Sequence, residues 1–590
     1  MSDLNLLRYY TRLVPLGVGS EIKTALVDVS EVLFTSVRHA RNLLNQMHEL
    51  EWLTWAPKVG RNQRSTLVLN LELIELKKQL ATERIVSGKY EKALAILDDD
   101  KKEFGRLLQS TSGVSMHEGQ LHLQLTYKRS FERLVPHQLQ RSSERYLLRQ
   151  LYCCLVTSDR DGLVEPQLAH HWEYDPEHYQ WTFYLRPGLT FHDGSPIDAA
   201  AIVKLYKKLL TLPEYQTELS HLSDVSSEQP LKILFTLSEP DKGFAGLISG
   251  VRYSIQPVSQ VGGTSDYAVI GSGPFEVVEH SSEKLRLQAF ERYYACRALT
   301  DRVTIWRLNE VKKDLSLIET NQLASNNEKE CNHYVAYSVS DESSEADDNT
   351  EQGIKYSRIE DGCMFALFNQ NTSTLLGEQQ RRYLSSVLSA QNVYKRMREQ
   401  KSLFGCEVAG NLLPMWQTML RPFRVESTLP ASLSIAVYDY AALMSCVYSI
   451  QSILQELGVK VEVNTYSYRE LSERSANGSL TEELIITNIN LDDNRHASAF
   501  DSLFNNPILH NSIGTMASQW LTESLTTLRS STELCDYLND LEPIASTLIS
   551  EFYLTPLFHH RQTLRFHGVL KDVELTNWGW PDIRNVWSAS

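Results

Sequence analysis

The sequence predicts a multidomain α/β protein, in which a small module of helices and a hairpin leads a much larger body of alternating strands and helices. Three observations carry that expectation. At 590 residues the chain is too long for one hydrophobic core, which serves roughly 100–200 residues. The apolar spacing changes at Leu121, Leu123, Leu125 and Tyr127 from three- and four-residue steps to strict alternation, the period of a strand. Charge is divided as well: residues 1–115 hold 16 Lys and Arg against 14 Asp and Glu, a net of +2, while the whole chain carries −15.

An acidic body with one basic segment does not coat polyanions indiscriminately, so any nucleic-acid contact is confined to that segment. Hydrophobic residues make up 42% and charged residues 22%, with a mean hydropathy of −0.30. These values exclude a wholly disordered chain and a polytopic membrane protein. The least interrupted apolar stretch, Leu433 to Ile450, contains Asp439 and three serines and reads as a buried strand and helix. The first ten residues place Asp3 and Arg8 where a secretory signal needs a basic start and a long apolar run. Eight cysteines form no C-x-x-C pair and are expected as reduced, mostly buried thiols. Both readings place the chain in the cytoplasm, with no membrane contact.

The first elements are helical. Val27 to Leu33 is a short apolar segment, Phe34 and Thr35 interrupt it, and from Ser36 to Leu50 the residues Val37, Ala40, Leu44 and Met47 recur at helical steps. This predicts two helices joined by a tight turn, with Thr35 as N-cap of the second. The opposite face of the second helix presents Arg38, Arg41, Asn42 and Asn45, with Ser36 and His39 at its start. Such side chains pair with base edges and phosphates, so the helix suits a major groove.

Trp52 to Trp55, a turn-prone Lys58-Val59-Gly60-Arg61-Asn62 and Ser65 to Leu69 then predict a β-hairpin. Its tip carries Lys58, Arg61, Asn62 and Arg64, and residues 35–70 hold five bases against Glu49 and Glu51. A helix-turn-helix followed by a basic hairpin is a winged helix, where the helix reads bases and the wing grips phosphates. The alternative is a small protein-interaction domain with a basic outer face. Residues 71–110 read as a helical arm, broken at Gly88, with a solvated charge run at Asp98-Asp99-Asp100. Leu71, Ile74, Leu76 and Leu80 offer that arm a second role as a dimer seam. The expected domains are a winged-helix DNA-binding domain with its arm, 1–115, and a body, 116–590.

In the body, Arg141-Ser142-Ser143 precede a helix from Glu144 to about Thr157, and a further helix runs from Asp198 to Leu210. Between and after them come Leu168-Ala169-His170-His171-Trp172-Glu173, Trp181 to Gly188, Phe191-His192-Asp193-Gly194 and Gly271-Ser272-Gly273-Pro274-Phe275. This ordered series resembles the extracytoplasmic solute-binding proteins of peptide and nickel ABC importers. Arg381 to Tyr394 resembles that family's lobe-two helix, and Leu433 to Val463 its strand-helix-strand. The likeness spans roughly 120–590. It implies a bilobal, periplasmic-binding-protein-like body of the peptide/nickel-binder type. Lobe one would be about 116–305 and 560–590, lobe two about 306–559. The lobes would be joined by hinge strands at Val303 to Trp306 and Leu564 to Asn577, and would close on a ligand between them.

A winged helix in front of such a body resembles the SgrR family of transcriptional regulators. Arg38-His39-Ala40-Arg41 with Leu43-Leu44-Asn45, the Trp52-Leu53-Thr54-Trp55 strand and Asn577-Trp578-Gly579-Trp580 carry that likeness. It implies a cytoplasmic activator or repressor that binds double-stranded DNA and senses a sugar phosphate in a glucose-phosphate stress response. The run Asp341 to Glu351, six acids and no base, departs from a compact second lobe and reads as a solvated loop.

A phosphate dianion needs oriented N–H donors and cations, which Arg141, Ser142, Ser143 and Arg145 at one helix start supply. Ordinary helix capping with surface arginines is the competing reading. Ser272, Gly273 and Trp416 join as ligand candidates by resemblance only. The histidines at 170, 171, 178, 559 and 560 match no metal-ligand spacing, and no G-x-S-x-G or Walker loop occurs. No metal, cofactor or enzyme activity is expected. The function read from the sequence is a DNA-binding regulator that senses a small solute, a sugar phosphate or a peptide-like molecule. The alternative is the solute-binding component of a peptide-type importer. Oligomeric state is left open.

Overall fold

The computed structural model describes residues 3–58, 64–86, 89–100, 103–104, 107, 114–117, 120–127, 129–263, 269–307, 353–372, 376–400, 402, 405–419, 426–567 and 570–588. Arg61 and Asn62 of the wing tip, Gly88, Cys331 and the acidic run 341–351 lie outside them. The chain divides into two compact units, 1–128 and 129–590.

The first unit opens with α1 (Asp3–Leu13), β1 (Ile22–Thr24), α2 (Leu26–Val32) and α3 (Val37–Glu49), followed by β2 (Leu53–Ala56) and β3 (Ser65–Leu69). The strands form an antiparallel sheet in the order β1-β3-β2, with Leu53 opposite Leu69 and Trp55 opposite Leu67. Alternation puts Leu53, Trp55, Leu67 and Leu69 on the buried face, against Ala40, Leu43, Leu44 and Met47 of α3. This element order and sheet make a winged helix-turn-helix. Sequence spacing did not predict α1 or β1. Tyr10 of α1 is buried and its hydroxyl donates to Leu71 O at 2.7 Å, so tertiary packing fixes that helix.

Two expectations shift here. The N-cap of α3 is Ser36, whose Oγ accepts from His39 N–H at 3.3 Å. Thr35 instead spends its N–H on Ser30 O at 3.0 Å, closing α2. Val37, expected on the apolar face, is exposed; the buried face of α3 begins at Ala40 and takes in Leu43, Leu44 and Met47. Beyond the wing lie α4 (Leu73–Val86), α5 (Tyr90–Ile96) and the hairpin β4 (Val114–His117) and β5 (Gln120–Tyr127). Leu76 and Leu80 are buried within the unit while Ile74 is exposed, so α4 does not present the four residues as one outward seam.

The second unit has two hydrophobic cores, one drawn from residues between Cys153 and Tyr293 and one from residues between Cys363 and Phe558. That is a bilobal α/β body. The first core lies under α6 (Ser142–Leu151), the strands β6 (Val156–Ser158), β7 (Val164–Pro166), β8 (Ala169–Asp175) and β9 (Gln180–Leu185), and α7 (Ala199–Leu209), with β10 (Leu222–Gln229) and β11 (Lys232–Leu237). A four-stranded sheet runs β10-β11-β9-β8. Asp198 caps α7, accepting from Ala201 N–H at 2.8 Å. Helix α6 starts two residues earlier than expected and stops at Leu151. Backbone N–H groups of Cys153 and Cys154 leave it for Ser272 Oγ and Gln167 Oε1, partners that no local pattern shows.

After β12 (Phe275–His280), β13 (Lys284–Ala289) and β14 (Arg302–Arg307) the second core is built on β15 (Gly353–Ile359), β16 (Gly362–Phe368), β17 (Cys406–Val408), β18 (Ser432–Tyr438), β19 (Lys460–Tyr466), β20 (Leu484–Asn490) and β21 (Leu554–His567). The order is β15-β21-β16-β20-β18-β19, with β17 on β21. Strands β18, β19 and β20 are parallel. The expected strand-helix-strand from Leu433 to Val463 is β18, the helix Ala441–Glu456 and β19. Arg381 to Tyr394, expected as one helix, is the end of Glu378–Val387 and the start of Ala390–Glu399, broken where Ser389 turns extended. Among the described residues no helix is long and apolar enough to cross a membrane. The described cysteines are all free thiols, four of them buried, Cys406 half-buried and Cys296 and Cys535 exposed.

Candidate nucleic-acid interface and solute cleft

Helix α3 has two faces. Ala40, Leu43, Leu44 and Met47 are wholly buried, and Arg38, Arg41, Asn42 and Asn45 are exposed on the other side. Lys58 and Arg64, on either side of the wing tip, are exposed too, and Lys58 is anchored by its backbone N–H on Ser65 Oγ at 3.2 Å. Long cationic and amide side chains projecting from one helix, with their stems over a packed core, form a surface that accepts phosphates and base edges. Ser36 and His39 have other duties: Ser36 caps the helix, and the His39 ring meets Tyr9 of α1 edge-on at 5.9 Å and 75°.

In the body the start of α6 reaches the second lobe. Arg145 donates from Nε to Asp492 Oδ1 at 2.7 Å and from Nη2 to Asn490 O at 2.7 Å. Burial works against its charge, but Asp492, Tyr468 and Asp501 together outweigh that and hold the guanidinium above its ordinary range. Arg141 lies over the Tyr468 ring at 5.9 Å. Ser143 Oγ is paired with Glu144 Oε2 at 2.8 Å, both buried, and Ser142 opens the helix. So the four candidates meet at one place, and Arg145 is already neutralised by the chain's own carboxylate.

The residues opposite them follow from the sheet. In α/β sheets ligands gather outside the carboxyl ends of parallel strands. Strands β18, β19 and β20 end at Tyr438, Tyr466 and Asn490, and Asn488 stands within the last residues of β20 while Tyr438, Tyr440, Tyr468, Asp492 and Asp493 stand at or just beyond those ends. Tyr438 packs edge-on to Tyr468 at 5.3 Å, and its hydroxyl donates to Asn488 Oδ1 at 2.6 Å. An Asp-Asp pair one residue beyond the end of a strand was the readable signal for this edge.

A second hub adjoins it. Asn577 is wholly buried. Its Oδ1 accepts from Asp361 N–H at 2.8 Å and Arg358 Nη2 at 3.1 Å, and its own N–H donates to Asp493 Oδ1 at 2.8 Å. Burial raises the Asp493 carboxyl, against the opposing bond from Asn577. Trp578 Nε1 donates to Asp492 Oδ1 at 2.9 Å. From the first lobe Arg160 reaches Asp361 at 3.1 Å, and Asp161 meets Arg495 at 3.2 Å. Sequence reasoning named none of these acids, because each gains its meaning from a partner far away along the chain.

Ser272, Gly273 and Trp416 are committed elsewhere. Ser272 Oγ accepts from Cys153 N–H at 3.0 Å and donates to Ile255 O at 2.9 Å. A Cβ on Gly273 would stand 2.5 Å from backbone atoms of Leu151 and Tyr152, a close approach that only glycine permits. His192 clamps the same loop, its Nδ1 accepting from Gly271 N–H at 3.1 Å and its Nε2 lying 3.1 Å from Gly273 O. Burial holds its pKa down to about 4, so the ring is neutral and Nε2–H donates. Trp416 is buried with Nε1 donating to Leu538 O at 2.8 Å. The histidines at 559 and 560 sit on Gly362 O and Glu360, and among the described residues no cluster of His, Cys, Asp or Glu is arranged to hold a metal.

Comparison with known proteins matches this division. Residues 5–119 fit the family described as sugar transport-related sRNA regulator N-term, and residues 164–378 fit the bacterial extracellular solute-binding proteins, family 5 middle. The HTH-type transcriptional regulator SgrR of Photorhabdus laumondii is 28% identical over 100% of this chain and 99% of its own length. That of Shigella dysenteriae is 27% identical over 100% and 99%. Among solved structures, the oligopeptide-binding protein AppA of Bacillus subtilis, in complex with a nonapeptide, has a TM-score of 0.62 at 14% identity, covering 80% of this chain and 99% of that one. NikA of Brucella suis, in complex with Fe(III)-EDTA, has a TM-score of 0.62 at 16%, covering 79% and 99%. These two likenesses concern the fold of the body alone. Matched from end to end by SgrR regulators and divided between the same two domain types, the chain is an HTH-type transcriptional regulator with a fused solute-binding domain, similar over its whole length to SgrR.

Proposed function

We propose that this regulator works in the cytoplasm and grips duplex DNA with α3 and the wing, through Arg38, Arg41, Asn42, Asn45, Lys58, Arg61, Asn62 and Arg64. Ser36 and His39 set the start of the reading helix. The domain that does this ends near residue 115, and the body from 116 onward closes on a small anion. A sugar phosphate, the solute of a glucose-phosphate stress response, fits the start of α6, where Arg141, Ser142, Ser143 and Arg145 converge.

One observation carries the DNA reading: the cationic and amide face of α3 is exposed over a fully buried apolar face. Fluorescence anisotropy of the full chain on duplexes selected from a random pool tests it. Arg38→Ala with Arg41→Ala weakens binding by at least about tenfold and lowers the salt slope by about two. Unchanged affinity and slope in the double variant remove α3 from the interface.

Support for the anion comes from Arg141 and Arg145, two guanidiniums beside the first-turn N–H groups of α6 and the Tyr468 ring. A binder of the folded form raises the melting temperature by mass action. Hexose phosphate is expected to raise that of the full chain, and free hexose and short peptides are expected to leave it in place. A shift with peptide alone turns the reading toward a peptide-like solute, and no shift with any of the three withdraws the sensing role.

A further inference from the structure

Phe34 is an exception in the first unit. It forms the turn between α2 and α3 with φ at 52°, a left-handed conformation that bulky residues rarely adopt. Two backbone bonds hold it there, Phe34 N–H to Glu31 O and Thr35 N–H to Ser30 O, each 3.0 Å. Three aromatic residues among the described ones have positive φ: Phe34, Tyr179 and Phe552. Tyr179 and Phe552 are half-buried, whereas Phe34 is 82% exposed. Core packing therefore does not explain why a large apolar ring occupies a position that glycine would fill without strain.

The ring is nevertheless held. The Arg12 guanidinium lies 5.4 Å from the Phe34 ring centre and 5.2 Å from that of Tyr9. Arg12 also donates to Leu33 O at 2.6 Å, a cation at the C-terminus of α2 where the helix dipole favours it. The stack stands two residues before the Ser36 cap of α3. In a helix-turn-helix the N-terminal part of the second helix meets the base edges. Phe34 thus presents an apolar face beside the Arg12 guanidinium, in the turn that leads from the exposed Glu31 of α2 into the helix carrying the exposed Arg38 and Arg41. A partner for that surface is polyanionic and offers an apolar group at the same depth. Duplex DNA does so in its major groove through the 5-methyl group of thymine.

We infer that Phe34 is an apolar reader of DNA, its ring packing on a thymine 5-methyl group at the edge of the site read by α3. The inference rests on the DNA reading of α3 proposed above and adds a determinant of sequence preference to it. Arg12 acts as a positioning residue, keeping the ring raised.

The test uses the full chain and a duplex selected from a random pool, with each thymine replaced in turn by deoxyuridine, which removes only the methyl group. At one position the wild type loses affinity by roughly tenfold. Phe34→Ala binds the thymine duplex about tenfold more weakly and shows no further loss at that position. Phe34→Gly relieves the positive φ, so it keeps or raises the melting temperature while losing the same affinity. The proposal falls if Phe34→Ala binds like the wild type or still senses the same methyl group, and the α3 reading survives provided the Arg38 and Arg41 variant loses binding. It falls too if Phe34→Gly lowers the melting temperature and affinity together, which marks a structural residue. A change in sedimentation mass in Phe34→Ala overturns it in favour of self-association. A pool that yields no enriched duplex overturns both readings.

Discussion

Asn577→Ala lowers the stability of the body by about 3–5 kcal/mol, measured by urea unfolding of the full chain followed through tryptophan fluorescence. The side chain is wholly buried and both its ends are used. Oδ1 takes the Asp361 N–H and one Arg358 donor, and Nδ2 serves the carbonyls of Leu491 and Asp361. A methyl group supplies neither, so a buried amide N–H and a buried carbonyl lose their partners, at about 1–3 kcal/mol each. Arg358 loses one of its ligands as well, which loosens the Asp361 carboxylate it shares with Arg160. The control is Asn585, exposed and bonded through its side chain to the nearby Asp582, where Asn585→Ala changes stability by less than about 0.5 kcal/mol. A loss below about 1 kcal/mol at Asn577 means that water replaces the amide and the hub holds nothing together.

The contrast between α3 and this hub shows what the sequence made legible. Helix α3 is a local object: three- and four-residue spacing puts Ala40, Leu44 and Met47 on one side and Arg38, Arg41 and Asn45 on the other, and the structure keeps that division. The strands around Leu53 and Leu67 were readable for the same reason, since period two sorts their faces. Helix α1 and strand β1 escaped because their amphipathic signals are short, and Tyr10 and Ile22 find their partners at Leu71 and Leu67. Spacing rules see four residues ahead, and these contacts lie more than forty away. The cleft was legible only in half. A helix start with two arginines was visible, but the reason for Arg145 is Asp492, 347 residues later. Ser272 and Gly273 stood in a motif that a resemblance marks, yet their bonds to Cys153, Ile255 and Leu151 make them a packing joint. Asn577 and Trp578 carried the family likeness without declaring a role, because an amide and an indole acquire one only from what surrounds them.

Removing one partner of the Arg145–Asp492 pair has the largest expected effect on the seam between the lobes. Arg145→Met leaves the buried Asp492 carboxylate without its cation, at about 3–5 kcal/mol, the loss typical of an orphaned buried charge. Trp578 Nε1–H still reaches that carboxylate, but one neutral donor does not replace a guanidinium. Asp492→Asn is milder, since an amide oxygen still accepts from Trp578 and Arg145 keeps Asn490 O. In the double variant both charges are gone, Trp578 retains its acceptor, and most of the loss is recovered. The expected sign of the double-mutant coupling is therefore favourable, at about 2–3 kcal/mol. Because α6 belongs to one lobe and the end of β20 to the other, the single Arg145 variant also opens the body, and its radius of gyration in small-angle scattering rises while that of the double variant does so less. An additive cycle with unchanged scattering would place the pair outside the forces that hold the lobes together. An anion that closes the cleft must either share Arg145 with Asp492 or displace it, so hexose phosphate is expected to stabilise Arg145→Met less than the wild type, by a margin that reports how far this guanidinium belongs to the ligand.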